Sequence, residues 1–277
     1  MKDKEIQMDI SDLKKHGYVR VRYPRDLRTS VVQAMASWQT FCTLPDEVKR
    51  AFSGGDRTND FGYMRREDKV GTADDKELFH VLRSDLPELA RRADEVHDKR
   101  AVEFIYAVDE LVRMAEPVIL AFAQETERHY GLKGFAESVL KNRDQWVFRY
   151  LHYMGGETLA HAHPDRAGAT LHLCESTGGG EYLNFDKKWR PWPLSVDETI
   201  IFPSMVLQHL SHGVLKALYH RVTATAESRR SGRFAMVAFV YFQHTHAYNG
   251  PRLQDFEEGF NYDMPFEEFQ KLFCPTT

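Results

Sequence analysis

Apolar and charged residues alternate over Tyr18-Val19-Arg20-Val21-Arg22-Tyr23, which predicts a strand with one buried face. A short helix over Ile10 to Lys15 precedes it and ends at Gly17, and Pro24 closes the strand. The spacing then becomes helical from Leu27 to Phe41. Pro45 opens a further helix with acidic residues in its first turn, where the helix dipole favours them. Ser53 to Lys76 is rich in Gly, Asp, Arg and Asn and predicts a long surface loop. Asp98 to Tyr130 carries the longest helical pattern, through Val102, Ile105, Val108, Leu111, Val112 and Met114. Pro117 predicts a kink or break within it, and Gly131 a stop.

From Trp146 onward the period falls to two. Short β-rich runs occupy 146–153, 169–174, 180–185, 197–204, 214–225 and 233–242, separated by Gly, Pro, Asn or Asp. Such spacing predicts a sandwich or jelly roll. The tail from Pro251 reads as loop plus a small helix around Pro265 to Phe273. Two regions result: 1–145, helical with a short strand and packed on the core, and 146–277, the β core with its C-terminal tail.

Composition narrows the class. The 37 basic and 41 acidic residues leave a net charge of −4, which argues against nucleic acid as a partner. No apolar run is long enough to span a bilayer, and the first residues lack the apolar stretch of a secretory signal. Cys42, Cys174 and Cys274 are widely spaced and odd in number, which fits reduced thiols in a cytoplasmic protein. The histidines are unusual: seven of 13 fall between His152 and His220. Neutral imidazole is the commonest transition-metal ligand, so the cluster suggests a metal site.

His163-Pro164-Asp165 is the sharpest local feature. Residues two apart on a strand point to one face, so an imidazole and a carboxylate can converge on one ion. His220, in the strand pattern Ala217 to Val222, is the best candidate for a third ligand. Two His and one carboxylate leave three metal positions open, the arrangement of non-haem Fe(II) oxygenases. His161, His209 and His212 are rivals. His161, His163 and Asp165 cannot all reach one ion from one straight strand, because the outer two lie roughly 13 Å apart. His212 reads as a turn residue, and His209 as a strand residue facing away.

The surrounding segments resemble the isopenicillin N synthase-like family of 2-oxoglutarate/Fe(II)-dependent dioxygenases over nearly the whole chain. HGYVRV stands at the family's first strand, and LPDEVKRAF resembles its "LP-x-E-x-K" helix. GYMRRE followed by DDKELFHV resembles its "GY…E…D-x-KE-x-F" segment. GATLHLCESTGGGEYL resembles the strand after the metal motif, with its Gly-Gly turn. KKWRPWP, MVLQHLSHG and LYHRV resemble "W-x-P-x-P", "M-x-Q-x-L-x-NG" and the distal "HRV". The resemblance implies a double-stranded β-helix (jelly roll) core flanked by helices, mainly β with a helical N-terminal half. It also implies Fe(II) on His163, Asp165 and His220, with 2-oxoglutarate and O₂ as cosubstrates.

The family's R-x-S arginine, which holds the far carboxylate of 2-oxoglutarate, corresponds here to Arg233, with Ala235 at the serine position. A literal R-x-S at Arg229 lies before Gly232, in what reads as a hairpin turn, so Arg233 is preferred. The family's "R-x-N-x-Y" strand is Arg149 to Tyr153, with Leu151 at the amide position. Tyr153 is the second candidate for the far carboxylate. The resemblance implies a small-molecule substrate, and no membrane partner is expected. Tyr63, Arg65, Arg66 and His80 from the helical half, with Arg149 and His161, are candidates to line its pocket. Hydroxylation of a C–H bond is the implied reaction, 2-oxoglutarate being decarboxylated to succinate. Two alternatives stay open: an Fe(II) oxidase that uses no keto acid, and a non-catalytic protein that binds iron or a small acid.

Overall fold

The computed structural model describes residues 6–54, 61–66, 75–154, 158–195 and 197–242. The order is α1 (Asp12–His16), β1 (Val19–Arg22), α2 (Arg25–Cys42), α3 (Asp46–Arg50), β2 (Gly62–Arg66) and β3 (Lys76–Leu82). Three helices follow: α4 (Leu86–Val96), α5 (Lys99–Tyr130) and α6 (Phe135–Lys141). Next come β4 (Val147–Tyr153), β5 (Thr158–His163), β6 (Ala169–Glu175), β7 (Gly180–Leu183), β8 (Trp189–Pro191) and β9 (Glu198–Pro203). The described chain ends with α7 (Met205–Leu210), β10 (His220–Thr223), α8 (Ala226–Ser231) and β11 (Arg233–Val240).

All strand pairs are antiparallel. A seven-stranded sheet runs β1-β9-β6-β11-β4-β3-β2, and a four-stranded sheet runs β5-β10-β7-β8. One face of the large sheet lies under the helices. Trp38 and Phe41 of α2 and Phe104 of α5 meet Phe79 and Tyr150 of the sheet in a cluster of aromatic contacts. These rings are all but inaccessible to water, and burying each contributes about 1.5–3 kcal/mol. The opposite face of the large sheet looks towards the small sheet across a cavity. Along β11, Met236, Ala238 and Val240 join the helical core, while Arg233, Ala235, Val237 and Phe239 line the cavity. Period-two alternation therefore divides structure from site within one strand.

The helical predictions for α2 and α5 match the structure closely. Asp98 caps α5 by accepting from the Arg100 N–H at 2.9 Å, and Gly131 ends it at φ 70°. Pro117 does not break this helix. It lies on the exposed face, so the carbonyl it leaves without a donor, that of Arg113, is on the solvent side too. The predicted loop over Ser53 to Lys76 contains a strand, β2, paired to β3 along its whole length. Gly62 makes this possible. It has φ 67°, and an added Cβ would sit 1.8 Å from the Phe52 carbonyl oxygen. The run 214–225 contracts to β10, and β5 and β8 are strands beyond the predicted set. The tail helix, with Cys274, lies outside the described residues. Among the described residues, no helix is long and apolar enough to cross a membrane.

A buried polar network joins the helices to the sheet. Glu77 accepts from Lys49 Nζ at 2.6 Å and from the Tyr63 hydroxyl at 2.7 Å, and its second oxygen lies 2.8 Å from His152 Nδ1. Burial alone would raise the Glu77 pKa, but these donors outweigh it and hold it at about 2. Because the folded value lies below the unfolded one, the ionised Glu77 stabilises the protein above about pH 4.5, the ordinary glutamate value. That contribution fades as pH falls towards 2. Glu77→Gln is expected to lower stability at pH 7 by about 1–3 kcal/mol. Urea unfolding of both proteins across pH checks this, and a gap that stays constant from pH 7 to 3 would contradict it.

Candidate active site

His163 ends β5, and His220 opens β10. The two are direct partners across the antiparallel ladder, which brings their ring centroids to 4.5 Å. Asp165 is not on the strand but just past it, beyond Pro164. The loop is tied to the start of α7, since the Asp165 carbonyl accepts from the Met205 N–H at 2.9 Å. Asp165 Oδ1 stands 3.6 Å from His163 Nε2 and 3.7 Å from His220 Nε2. All three ligand-type atoms lie within 4.8 Å of one another.

The outer contacts orient each group. His163 Nδ1 lies 2.6 Å from the His161 carbonyl, and His220 Nδ1 lies 3.1 Å from that of Leu218. A carbonyl only accepts, so both Nδ1 atoms carry the proton. Both Nε2 lone pairs are left facing Asp165 and the space between. Asp165 Oδ2 accepts from the Thr170 hydroxyl at 2.7 Å, and Thr170 in turn contacts Ser204 at 3.1 Å. Two imidazole nitrogens and one carboxylate oxygen, each fixed from behind, form a donor set that suits a divalent transition ion.

The site opens into a cavity of about 370 Å³ between the sheets. Its apolar wall includes Leu151, Ala160, Trp192, Phe202, Val222 and Val237. Its cations are Arg66, Lys76, Arg149, Arg166 and Arg233, and Asp165 is the single carboxylate-bearing residue among those lining it. Arg233 is 1% exposed and pairs with Tyr153 across β11 and β4. Its guanidinium sits 5.5 Å from the Tyr153 ring centre, a cation–π contact. It also donates to Glu175. Arg229 is exposed, on the helix α8 rather than in a hairpin turn.

Among the substrate-pocket candidates, Arg149 and Arg66 line the cavity, whereas Tyr63, Arg65, His80 and His161 do not. Tyr63 lies on the helix-facing side of β2, bonded to Glu77. Arg65 is paired with Asp75 at 2.7 Å, and the His161 side chain is exposed. His80 shares the Arg149 row of the sheet but is buried outside the cavity. Among the rival ligands, His212 occupies a turn at φ 48°, and His209 is buried on the helix α7 rather than on a strand. Cys42, Glu77 and His152 form a second group of ligand-type atoms within 4.8 Å. Lys49 already neutralises Glu77 there, and burial keeps the Cys42 thiol protonated, so this group reads as a structural network.

Sequence reasoning missed Glu175, His172, Thr170 and Lys76. His172 belongs to no motif in the sequence, yet it lines the cavity.

No protein-family model and no curated protein matches the chain. Solved structures do. A protein from Caulobacter crescentus described as a member of the 2OG-Fe(II) oxygenase family is 25% identical, with a TM-score of 0.70. The alignment covers 88% of this chain and 83% of that one. A protein from Shewanella oneidensis described as an oxygenase is 18% identical with a TM-score of 0.68, covering 95% and 93%. The dioxygenase for auxin oxidation 1 of Arabidopsis thaliana, solved with 2-oxoglutarate, is 17% identical with a TM-score of 0.66, covering 92% and 94%. The fold of this chain is that of the 2OG-Fe(II) oxygenases.

Proposed function

We infer that this chain is a non-haem Fe(II)- and 2-oxoglutarate-dependent oxygenase, built on a double-stranded β-helix core with the helical region 1–145 packed against it. The observation that carries the reading is the convergence of His163 Nε2, His220 Nε2 and Asp165 Oδ1 in the wall of a cavity that a buried arginine, Arg233, also lines. In this reading the three groups hold Fe(II), which with 2-oxoglutarate and O₂ supplies the oxidising power: the keto acid leaves as succinate and CO₂, and one oxygen atom enters a substrate C–H bond. The protein's own part is positional. Three ligands leave open positions for a chelating keto acid and O₂. Arg233 and Tyr153 take the far carboxylate, the guanidinium by charge-assisted hydrogen bonding. The apolar wall keeps water from the reacting groups.

The substrate in this reading is a small molecule. The cationic lining, with Arg66, Lys76, Arg149 and Arg166 beyond the cosubstrate's arginine, suits one that bears a carboxylate or phosphate.

The test is made on the intact protein. Under anaerobic conditions it is expected to bind one Fe(II) per chain and, on adding 2-oxoglutarate, to develop the charge-transfer absorption of the chelate. Admitting O₂ is expected to yield succinate. Iron binding with neither absorption nor succinate would identify instead the oxidase that needs no keto acid.

A further inference from the structure

The cosubstrate end of the cavity departs from the pattern that the resemblance implies, and the departure is coherent. Leu151 and Ala235 stand where an amide and a hydroxyl were expected, and they remove two polar contacts. Across the sheet these residues form one row, Leu151 beside Ala235 and Ala235 beside Glu175. The next row is Arg149, Val237 and His172. Strict alternation along β6 would put His172 and Glu175 on opposite faces. A register shift between the Met236 and Val237 pairings inserts one extra residue in β6, so both side chains face the cavity side. Bulges re-aim side chains in this way next to active sites. The small Ala235 leaves room beside Glu175 for its carboxylate to reach Arg233.

Glu175 then touches two partners with one oxygen. It accepts from Arg233, and it lies 3.5 Å from His172 Nε2. Burial would raise the Glu175 pKa, but the histidine and the arginine outweigh it and keep it ionised. His172 is 4% exposed and lines the cavity, with Trp192 against its ring at 5.5 Å. Its Nδ1 is buried with no hydrogen-bond partner among the described residues. The same is true of Arg233 Nε. Two buried nitrogens without partners, at one end of one cavity, are costly unless a ligand satisfies them.

We propose that His172 is a second anchor for the far carboxylate of the keto acid, with Glu175 as the positioning residue that orients both His172 and Arg233. This rests on the 2-oxoglutarate reading above. Glu175 Oε2 beside His172 Nε2 suits a donor at that nitrogen, which leaves Nδ1 to face the ligand. To meet a carboxylate, Nδ1 must also be protonated, so the ring binds the anion as imidazolium. The charges then balance: Arg233 and His172 are positive, Glu175 and the incoming carboxylate negative. Without the imidazolium, a second carboxylate would have to enter beside Glu175 with only Arg233 to offset both.

The experiment compares two keto acids bound to the anaerobic Fe(II) protein, 2-oxoglutarate and 2-oxopentanoate, which has the same keto acid end but no far carboxylate. Binding is read by calorimetry and by the charge-transfer absorption. Wild type is expected to prefer 2-oxoglutarate. His172→Leu is expected to lose about tenfold in 2-oxoglutarate affinity with less than about a twofold change for 2-oxopentanoate. His172→Gln, which restores a donor, is expected to recover part of the preference. A merely structural role would weaken both ligands together, and that outcome overturns the proposal, as does an unchanged preference in His172→Leu. Wild type that prefers 2-oxopentanoate, or binds both equally, also overturns it while leaving a keto acid oxygenase standing. Wild type that binds neither acid overturns the cosubstrate reading itself. Fe(II) stoichiometry and thermal unfolding of each variant separate a lost contact from a lost fold.

Discussion

Asp165→Ala is expected to abolish stoichiometric Fe(II) binding, and His220→Ala to do the same, while His161→Ala binds iron like wild type. The two histidines offer neutral nitrogens, so Asp165 is the only charged ligand of the set. A carboxylate that is 8% exposed and held by Thr170 is already ordered before the ion arrives, and little freedom is lost on binding. Removing it leaves two imidazoles on one edge and no counter-charge for the ion. His220→Ala leaves His163 and Asp165, both from one short segment, with no ligand from the opposing strand. His161 is the internal control. It lies two residues from His163, but only its backbone carbonyl serves the site, by accepting from His163 Nδ1. Anaerobic titration with Fe(II) reads all three variants. Wild-type stoichiometry in both Asp165→Ala and His220→Ala would place the metal elsewhere. Loss in His161→Ala alone would make the rival His-x-His pair the true ligands.

The parts of this site differ in how far the sequence reveals them, and the reason is parity. Arg149, Leu151 and Tyr153 fall on one face of β4 because an uninterrupted strand alternates, and period two is visible in the residues themselves. The same logic places Arg233, Ala235 and Val237 together on β11. It fails where the alternation is broken or hidden. Glu175 follows a bulge, and an extra residue in one strand leaves no mark in composition. The one visible hint was an acidic residue closing the strand run Ala169 to Cys174, in which Thr170 and His172 already alternate with apolar residues. Tyr63 and Arg65 were misplaced because β2 reads as loop, so no face could be assigned to either. Its strand character comes from pairing with β3 and from the approach of Gly62 to Phe52, both tertiary effects. His209 shows a third limit. MVLQHL is six residues of mainly apolar chain, too short to separate helix from strand by period. The pairing of His163 with His220 is non-local, and the motif spacing could only propose it. The ladder between β5 and β10 makes them neighbours.

Arg233→Gln is expected to weaken 2-oxoglutarate binding by roughly 10- to 150-fold, with Arg229→Gln close to wild type. The two arginines lie four residues apart and differ in almost every physical respect. Arg229 is on the exposed face of α8, where a carboxylate contact would be diluted by water. Arg233 opens β11 with 1% of its surface exposed, stacked near Tyr153 and steered by Glu175. A charge-assisted hydrogen bond in such a place contributes about 1.5–3 kcal/mol, which sets the range above. Glu175 sharpens the expectation, since with the guanidinium gone its carboxylate would repel the incoming one. The loss should therefore lie towards the upper end of the range, and Arg233→Lys should recover only part of it, because a point charge cannot serve Glu175 and the ligand with a planar fork. The charge-transfer absorption of the anaerobic chelate reports the binding directly, and Fe(II) titration confirms that the triad is intact in each variant. A large loss confined to Arg229→Gln would move the anchor to α8. Equal affinity in both variants and wild type would mean that the far carboxylate is held without either arginine, and that Arg233 and Glu175 are only an internal ion pair of the sheet.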